Sequence, residues 1–171
     1  AQYFGAVGGD PAGSLVRKVL ADQGVGIEHL TAYDDLPTAF TEIASDENGE
    51  RRFVHEDFGA CAAYVPTQAD IEALRHMRHV HIGWINGASD LRRGLAGAAV
   101  TVSQDLTVNN SPENLSPEGL DIAFCSAEAG TGPQQLQRLL AAGARMAVVT
   151  LGAAGSLASD GRRSAMAAAP A

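Results

Sequence analysis

Residues 148–156, Val148-Val149-Thr150-Leu151-Gly152-Ala153-Ala154-Gly155-Ser156, run from a β-branched apolar stretch into a loop with glycines three apart. A buried strand that opens into exposed backbone N–H groups is suited to seat the phosphates or ribose of a nucleotide. Two glycines after a strand also make an ordinary tight turn, so the segment by itself leaves both readings open. Polar residues gather at the ends of three other strand-like stretches: Trp84-Ile85-Asn86, Gln104-Asp105-Leu106-Thr107 and Cys125-Ser126-Ala127-Glu128.

Other chemistry-bearing residues carry less. His76, His79 and His81 crowd one helix-to-strand junction, but His79 and His81 share a strand face while His76 belongs to the preceding turn. A metal centre needs three or four convergent ligands, so no metal site is read here. Cys61 and Cys125 are isolated among small apolar residues and fit buried, inert thiols. The acidic pairs Asp34-Asp35 and Asp46-Glu47 read as solvated turn residues. Glycines in 8–14 have the spacing of a phosphate-binding P-loop, yet Ser14 stands where its lysine must be, which excludes that motif. Trp84, alone at a strand end, reads as core sooner than as a cleft wall.

The elements that hold these residues alternate. Asp10-Pro11 is a helix start, a capping aspartate before proline, for a helix through Leu15, Val16, Val19 and Leu20 that stops at Gly24. Residues 37–44 and 51–55 read as two strands joined through Asn48-Gly49, a hairpin signal. Their many polar residues predict a hairpin with one face off the core, a lid over a cleft. Beyond Pro66-Thr67, helices are predicted near 68–75, 89–97 and 134–142, between strands near 80–84, 99–105, 122–124 and 147–151. Strand–helix alternation predicts an α/β fold with a mostly parallel sheet, in which ligands bind beyond the carboxyl ends of the strands.

Composition bounds the function. The chain has 171 residues, 46% apolar and 19% charged, which suits one globular domain. A net charge of −8, with Lys18 the only lysine, argues against a nucleic-acid partner. No signal peptide and no apolar run near membrane-spanning length is apparent, so a cytoplasmic protein without a membrane partner is expected. The chain opens on Ala1-Gln2-Tyr3-Phe4-Gly5-Ala6-Val7, as if within a strand, and closes on Ala167-Ala168-Ala169-Pro170-Ala171. Both ends read as the inside of something larger.

Several segments, in order, resemble the ribokinase-like (PfkB) carbohydrate kinases. Val7-Gly8-Gly9-Asp10-Pro11-Ala12-Gly13 resembles the family's Val-Gly-x-Asp-x-x-Gly turn, and Gly24-Val25 its connection into the lid. Gly59-Ala60-Cys61-Ala62-Ala63 resembles the segment after the lid, and Thr150-Leu151-Gly152-Ala153-Ala154-Gly155 the nucleotide loop. The resemblance implies a ribokinase-like α/β fold with helices on both faces of the sheet and a β lid, at about 28–58, inserted in a single, incomplete domain over 1–171. It implies ATP-dependent phosphorylation of a hydroxyl on a sugar or fructosamine-type substrate, with Mg2+ as cofactor. Mapped onto this sequence, Ser126, Thr150, Gly152 and Gly155 bind nucleotide, and Phe40 and Thr41 contact the sugar from the lid. Asp57 or Glu42 would read a charged tail on the sugar, and Asp105, at a strand end facing the phosphates, would hold a water of the magnesium shell. A homodimer through the lid is a further implication.

The sequence departs from the family in two ways. Ser126 stands at the Asn of an Asn-x-x-Glu motif, whose Glu position is Ala129, with Glu128 one residue out of register. The family's Gly-Gly-Asn segment and its Gly-Ala-Gly-Asp signature, which supplies the catalytic base, have no counterpart here. The base is therefore expected outside these residues, and the 171 residues alone are expected to be inactive. The alternative is a noncatalytic kinase-fold module that binds nucleotide or sugar.

Overall fold

The structure, a computed structural model, describes residues 1–47, 51–107, 109, 111–128 and 130–169. The chain divides into two compact units, Ala1–Pro66 and Thr67–Ala171.

In the first unit, β1 (Gln2–Gly8) and β2 (Gly26–Tyr33) form a parallel pair joined by α1 (Pro11–Asp22). The helix begins where the sequence predicts, with Asp10 as cap and Pro11 at the first position. It ends before Gly24, whose φ of +70° suits glycine. Ala6, Val7 and Leu30 are buried, and Arg17 of α1 donates to the Leu30 carbonyl at 3.1 Å. A short helix, α2 (Gly59–Ala63), buries Ala60, and its Cys61 thiol lies 3.4 Å from the Ala6 carbonyl oxygen. Burial pushes the Cys61 thiol up from its ordinary range, which fits an inert cysteine.

The hairpin is β3 (Phe40–Ser45) against β4 (Arg51–Asp57), antiparallel and a sheet of its own. The Asn48-Gly49 turn lies outside the described residues. At the start of the segment assigned to the lid, 28–58, residues up to Tyr33 belong instead to the parallel pair. They alternate too weakly in burial for periodicity to place them there.

In the second unit, six strands run in the order β10-β9-β8-β7-β6-β5. β5 (His79–Ile82), β6 (Thr101–Asp105), β7 (Ile122–Ser126) and β8 (Met146–Thr150) are mutually parallel. β9 (Ser156–Ser159) and β10 (Ser164–Ala167) close the sheet antiparallel. The helices are α3 (Gln68–Arg75), α4 (Ala88–Leu95) and α5 (Gly132–Ala141). α3 starts at a reciprocal capping box between Thr67 and Asp70.

Strand alternation sorts the sheet's two faces. Val80, Ile82, Val102, Gln104, Ala123, Cys125, Ala147 and Val149 are all buried on one face. That face meets α4 through Arg92, which bonds Gln104, and α5 through Gln135, which bonds the Cys125 thiol. His79, His81, Thr101, Asp105, Ser126, Met146 and Thr150 alternate onto the other face and are exposed. Each apolar side chain fully buried on the helix-covered face contributes about 1.5–3 kcal/mol, which ties the strand order to the helices. With that face packed, the carboxyl ends of β6, β7 and β8 are fixed beside one another.

Candidate functional site at the carboxyl ends of the parallel strands

The register places Asp105 opposite Phe124, and Ser126 opposite Thr150. Asp105, Thr107, Ser126 and Thr150 are all exposed, and hydrogen bonds join them in one row. The Thr107 amide donates to Asp105 Oδ1 at 2.8 Å, and the Ser126 amide donates to Thr107 Oγ1 at 3.2 Å. Ser126 Oγ lies 3.0 Å from Thr150 Oγ1, and the Ala127 amide bonds the Thr150 carbonyl at 3.0 Å. Of the row, Asp105, Ser126 and Thr150 follow from the sequence as site residues. Thr107 does not, although Asp-x-Thr is the pattern of a side chain capping its own backbone two residues on.

After Thr150 the chain makes one tight turn (Gly152–Ala154), closed by a bond from the Leu151 amide to the Gly155 carbonyl at 2.8 Å. Gly152 has φ +57° and Gly155 φ +92°, conformations that exact a steric cost from any Cβ. A Cβ at Gly155 would also sit 2.0 Å from the Ala167 carbonyl oxygen. The glycine spacing is thus required by the backbone, and the loop emerges from β8 next to the hydroxyls of Ser126 and Thr150. Ala129 lies outside the described residues; Glu128 is exposed, and its carbonyl accepts from Thr131 at 2.9 and 3.0 Å.

The oxygen donor for a divalent ion at this edge is the Asp105 carboxylate, with one oxygen given to Thr107. Hard oxygen donors in small number suit Mg2+, which keeps most of its waters and binds through one or two carboxylates and substrate phosphates. Among the described residues no group of three His, Cys, Asp or Glu side chains is arranged to hold a metal on its own. His76 pairs with Glu72, whereas His79 Nε2 and His81 Nδ1 both lie 2.9 Å from Ser103 Oγ.

The residues expected to meet substrate lie in the first unit. Phe40 pairs with Asp57, Glu42 with His55 and Thr41 with Glu56. Paired residues share a face, so Phe40, Glu42, His55 and Asp57 line one side of the hairpin, with Thr41 on the other. The Phe40 and His55 rings lie 5.5 Å apart, and Thr41 Oγ1 donates to Glu56 at 3.1 Å. Asp57 already accepts from the Gly59 amide at 2.8 Å, which shapes the turn into α2.

Asp10, in the glycine turn of the same unit, accepts three hydrogen bonds. Its Oδ1 accepts from the Gly13 amide at 2.7 Å and from the Thr38 hydroxyl at 2.6 Å, and its Oδ2 from the Thr38 amide at 2.8 Å. The Thr38 hydroxyl in turn accepts from the Gly8 amide at 2.9 Å. These bonds, the Thr38 hydroxyl foremost, hold the Asp10 carboxyl down at about 2.

No family model matches the chain. A ribokinase of Arabidopsis thaliana, solved with ribose and ATP, superposes on 98% of this chain and 60% of its own, with TM-score 0.80 and 18% identity. The chain has the ribokinase fold. An Escherichia coli protein with the ribokinase fold, solved with ATP and Mg2+, matches 99% of this chain and 62% of its own, with TM-score 0.76 and 17% identity. In sequence, the fructoselysine 6-kinase of Escherichia coli K12 is 32% identical over 160 residues, 91% of this chain and 60% of the relative. The expected resemblance to the PfkB carbohydrate kinases is borne out, and the ribokinase-fold chain spans about 60% of the length of that relative.

Proposed function

We propose that this chain serves the ATP-dependent phosphorylation of a hydroxyl group on a sugar or fructosamine-type substrate. The observation that carries the reading is the row Asp105–Thr107–Ser126–Thr150 leading into the Gly152–Gly155 turn. Phosphoryl transfer asks a protein mainly to position the phosphates and to stabilise their charge. In this reading Thr150, Gly152 and Gly155 hold the nucleotide, with the Ser126 hydroxyl beside them. Asp105 would hold a water of a Mg2+ ion carried in on the phosphates. The ion, when bound, supplies charge neutralisation on the transferring group. No residue of this chain is assigned as the base.

The sugar side rests on the hairpin. Phe40 and His55 offer ring surface, and Glu42 and Asp57 offer negative charge on the same face. A sugar that carries an amine meets complementary charge there, which is the chemistry of the substrate in the name of the 32%-identical relative. Thr41 faces away from that set and belongs to the sugar site only through the hairpin's other side. Ile43 and Phe53 pair on Thr41's side, 50% and 76% exposed, and would be covered if two copies of the chain joined through their hairpins. An ATP-dependent kinase of this kind would work in the cytoplasm; among the described residues no helix is long and apolar enough to cross a membrane.

The test is calorimetric titration of ATP with Mg2+, and of a fructosamine, a ketose and an aldose, into the purified chain, because no residue of the chain is assigned as the base. Mg2+-dependent ATP binding, with the fructosamine bound in preference to the plain sugars, is the expected result, and Glu42→Gln should erase that preference. ATP binding without binding of any of the sugars would replace the kinase with a noncatalytic nucleotide-binding module. Failure to bind ATP would overturn the reading. Light scattering checks the second copy: Phe53→Ser should shift a dimer to monomer.

A further inference from the structure

We infer that Thr107 is the positioning residue of the nucleotide edge, an inference that rests on the function proposed above. Thr107 sits between the two groups that most need to be held still. Its amide takes one oxygen of Asp105, and its hydroxyl oxygen takes the amide of Ser126, the residue whose side chain meets Thr150. A loop residue fixes others only if the loop itself is fixed.

A buried polar spine fixes this one. Arg92, Gln104 and Asn114 are 6%, 1% and 5% exposed. Arg92 donates to Gln104 Oε1, to the Asn114 carbonyl at 3.2 Å and to the Glu113 carbonyl at 2.8 Å. Gln104 Nε2 reaches the Asn114 carbonyl at 2.7 Å. Asn114 Nδ2 donates to Asn109 Oδ1 at 3.0 Å, and Asn114 Oδ1 accepts from the Ser89 amide at 3.0 Å. Asn109 then donates to the Ile85 carbonyl at 3.2 Å, tying the loop after β6 to the loop after β5. The buried guanidinium has no carboxylate among these partners; burial lowers its proton affinity, and carbonyl and amide oxygens replace water around it. Left half-satisfied, such a network would destabilise the loop; with these bonds made, it is rigid.

Thr107 therefore leaves β6 at a position set from both ends, by Asp105 before it and by Asn109 after it. Its hydroxyl receives the Ser126 amide, which fixes where the Ser126 side chain and the start of the post-β7 loop stand. Hydroxyl placement at a phosphate-binding edge matters in proportion to how little it must reorganise when the charge arrives.

The test compares Thr107→Val with Thr107→Ser in the intact chain by two readouts. The first is hydrogen exchange at the Ser126 amide: Val should cut its protection about tenfold, and Ser should restore it. The second is affinity for ATP with Mg2+ by calorimetry: Val should weaken it about tenfold, and Ser by less than about twofold. Unchanged Ser126 protection in the Val variant overturns the positioning role whatever the nucleotide does. Lost protection with unchanged affinity also overturns the inference, because the held residues would then not serve the nucleotide. If the parent chain binds no ATP, the proposed function fails, and the exchange result still decides whether Thr107 holds Ser126.

Discussion

Two aspartates in this molecule stand at the end of a β-strand beside a threonine, and they are in opposite states. Asp10, after β1, spends both oxygens on Thr38 and Gly13, and Thr38 passes the tie on to Gly8. Asp105, at the end of β6, gives one oxygen to a single amide and stays exposed. Three bonds from Thr38 and Gly13 engage both oxygens of the first carboxylate, so its charge serves the fold. The second is held just enough to be aimed. What separates the structural acid from the proposed site acid here is the hydrogen-bonding capacity left over after folding.

The largest effect should come from breaking the closed end of this comparison. A Cβ on Gly13 would lie 2.0 Å from the Gly8 carbonyl oxygen, so helix α1 could not approach the turn that Asp10 caps. Gly13→Ala should cost about 3 kcal/mol or more, lowering Tm by about 10 °C in a thermal melt. A change within about 2 °C would mean that the turn yields and that its close packing matters little.

Asp10→Asn tests the same end through pH. The folded carboxyl, at about 2, lies below its ordinary value of 3.8, so the unfolded chain binds the proton more readily between those values. The stabilisation is therefore complete above about pH 4 and is lost as pH falls toward 2. Urea midpoints of the parent chain should drop across that window. Those of Asp10→Asn should be lower at neutral pH and lack this part of the acid slope. Parallel acid slopes would show that Asp10 is not held as described.

How much of this contrast is legible in sequence depends on the distance between partners. The cap Asp10-Pro11, the helix at 68–75 and the strands of the parallel sheet follow from local pattern, and the structure has them within a few residues. The partner of Asp10 does not: Thr38 is 28 positions away, and nothing in its surroundings marks it. β2 reads poorly because its exposed and half-buried residues follow no clean alternation. β10 is not legible because Ser164–Ala167 is exposed throughout and shows no alternation of buried and exposed residues. At the candidate site the glycine loop and the polar strand ends are legible. Thr107 is not, since only the pairing of β6 with β7 brings its hydroxyl to Ser126.

The open end of the comparison is tested with Asp105→Asn. Asparagine keeps the oxygen that accepts from Thr107, so the turn survives and only the charge is removed. Tm should stay within about 2 °C of the parent, as for an exposed substitution, while affinity for ATP with Mg2+ falls about tenfold. A fall in both would make Asp105 a structural acid like Asp10, and the distinction would dissolve.

The smallest effect concerns the hydroxyl pair beyond Asp105. Ser126→Ala or Thr150→Ala removes one partner of an exposed 3.0 Å contact, and each should weaken ATP binding about threefold. Such a small loss is informative only in combination. If the two hydroxyls meet the nucleotide separately, the double variant should lose about tenfold, the product of the single losses. If they act as one unit, with each orienting the other, removing the second costs little more, and the double variant stays near threefold. The hydrogen-bonded row favours the second outcome, because each hydroxyl's direction is set by its neighbour. Multiplicative losses would instead mean that the contact between Ser126 and Thr150 gives way when nucleotide binds.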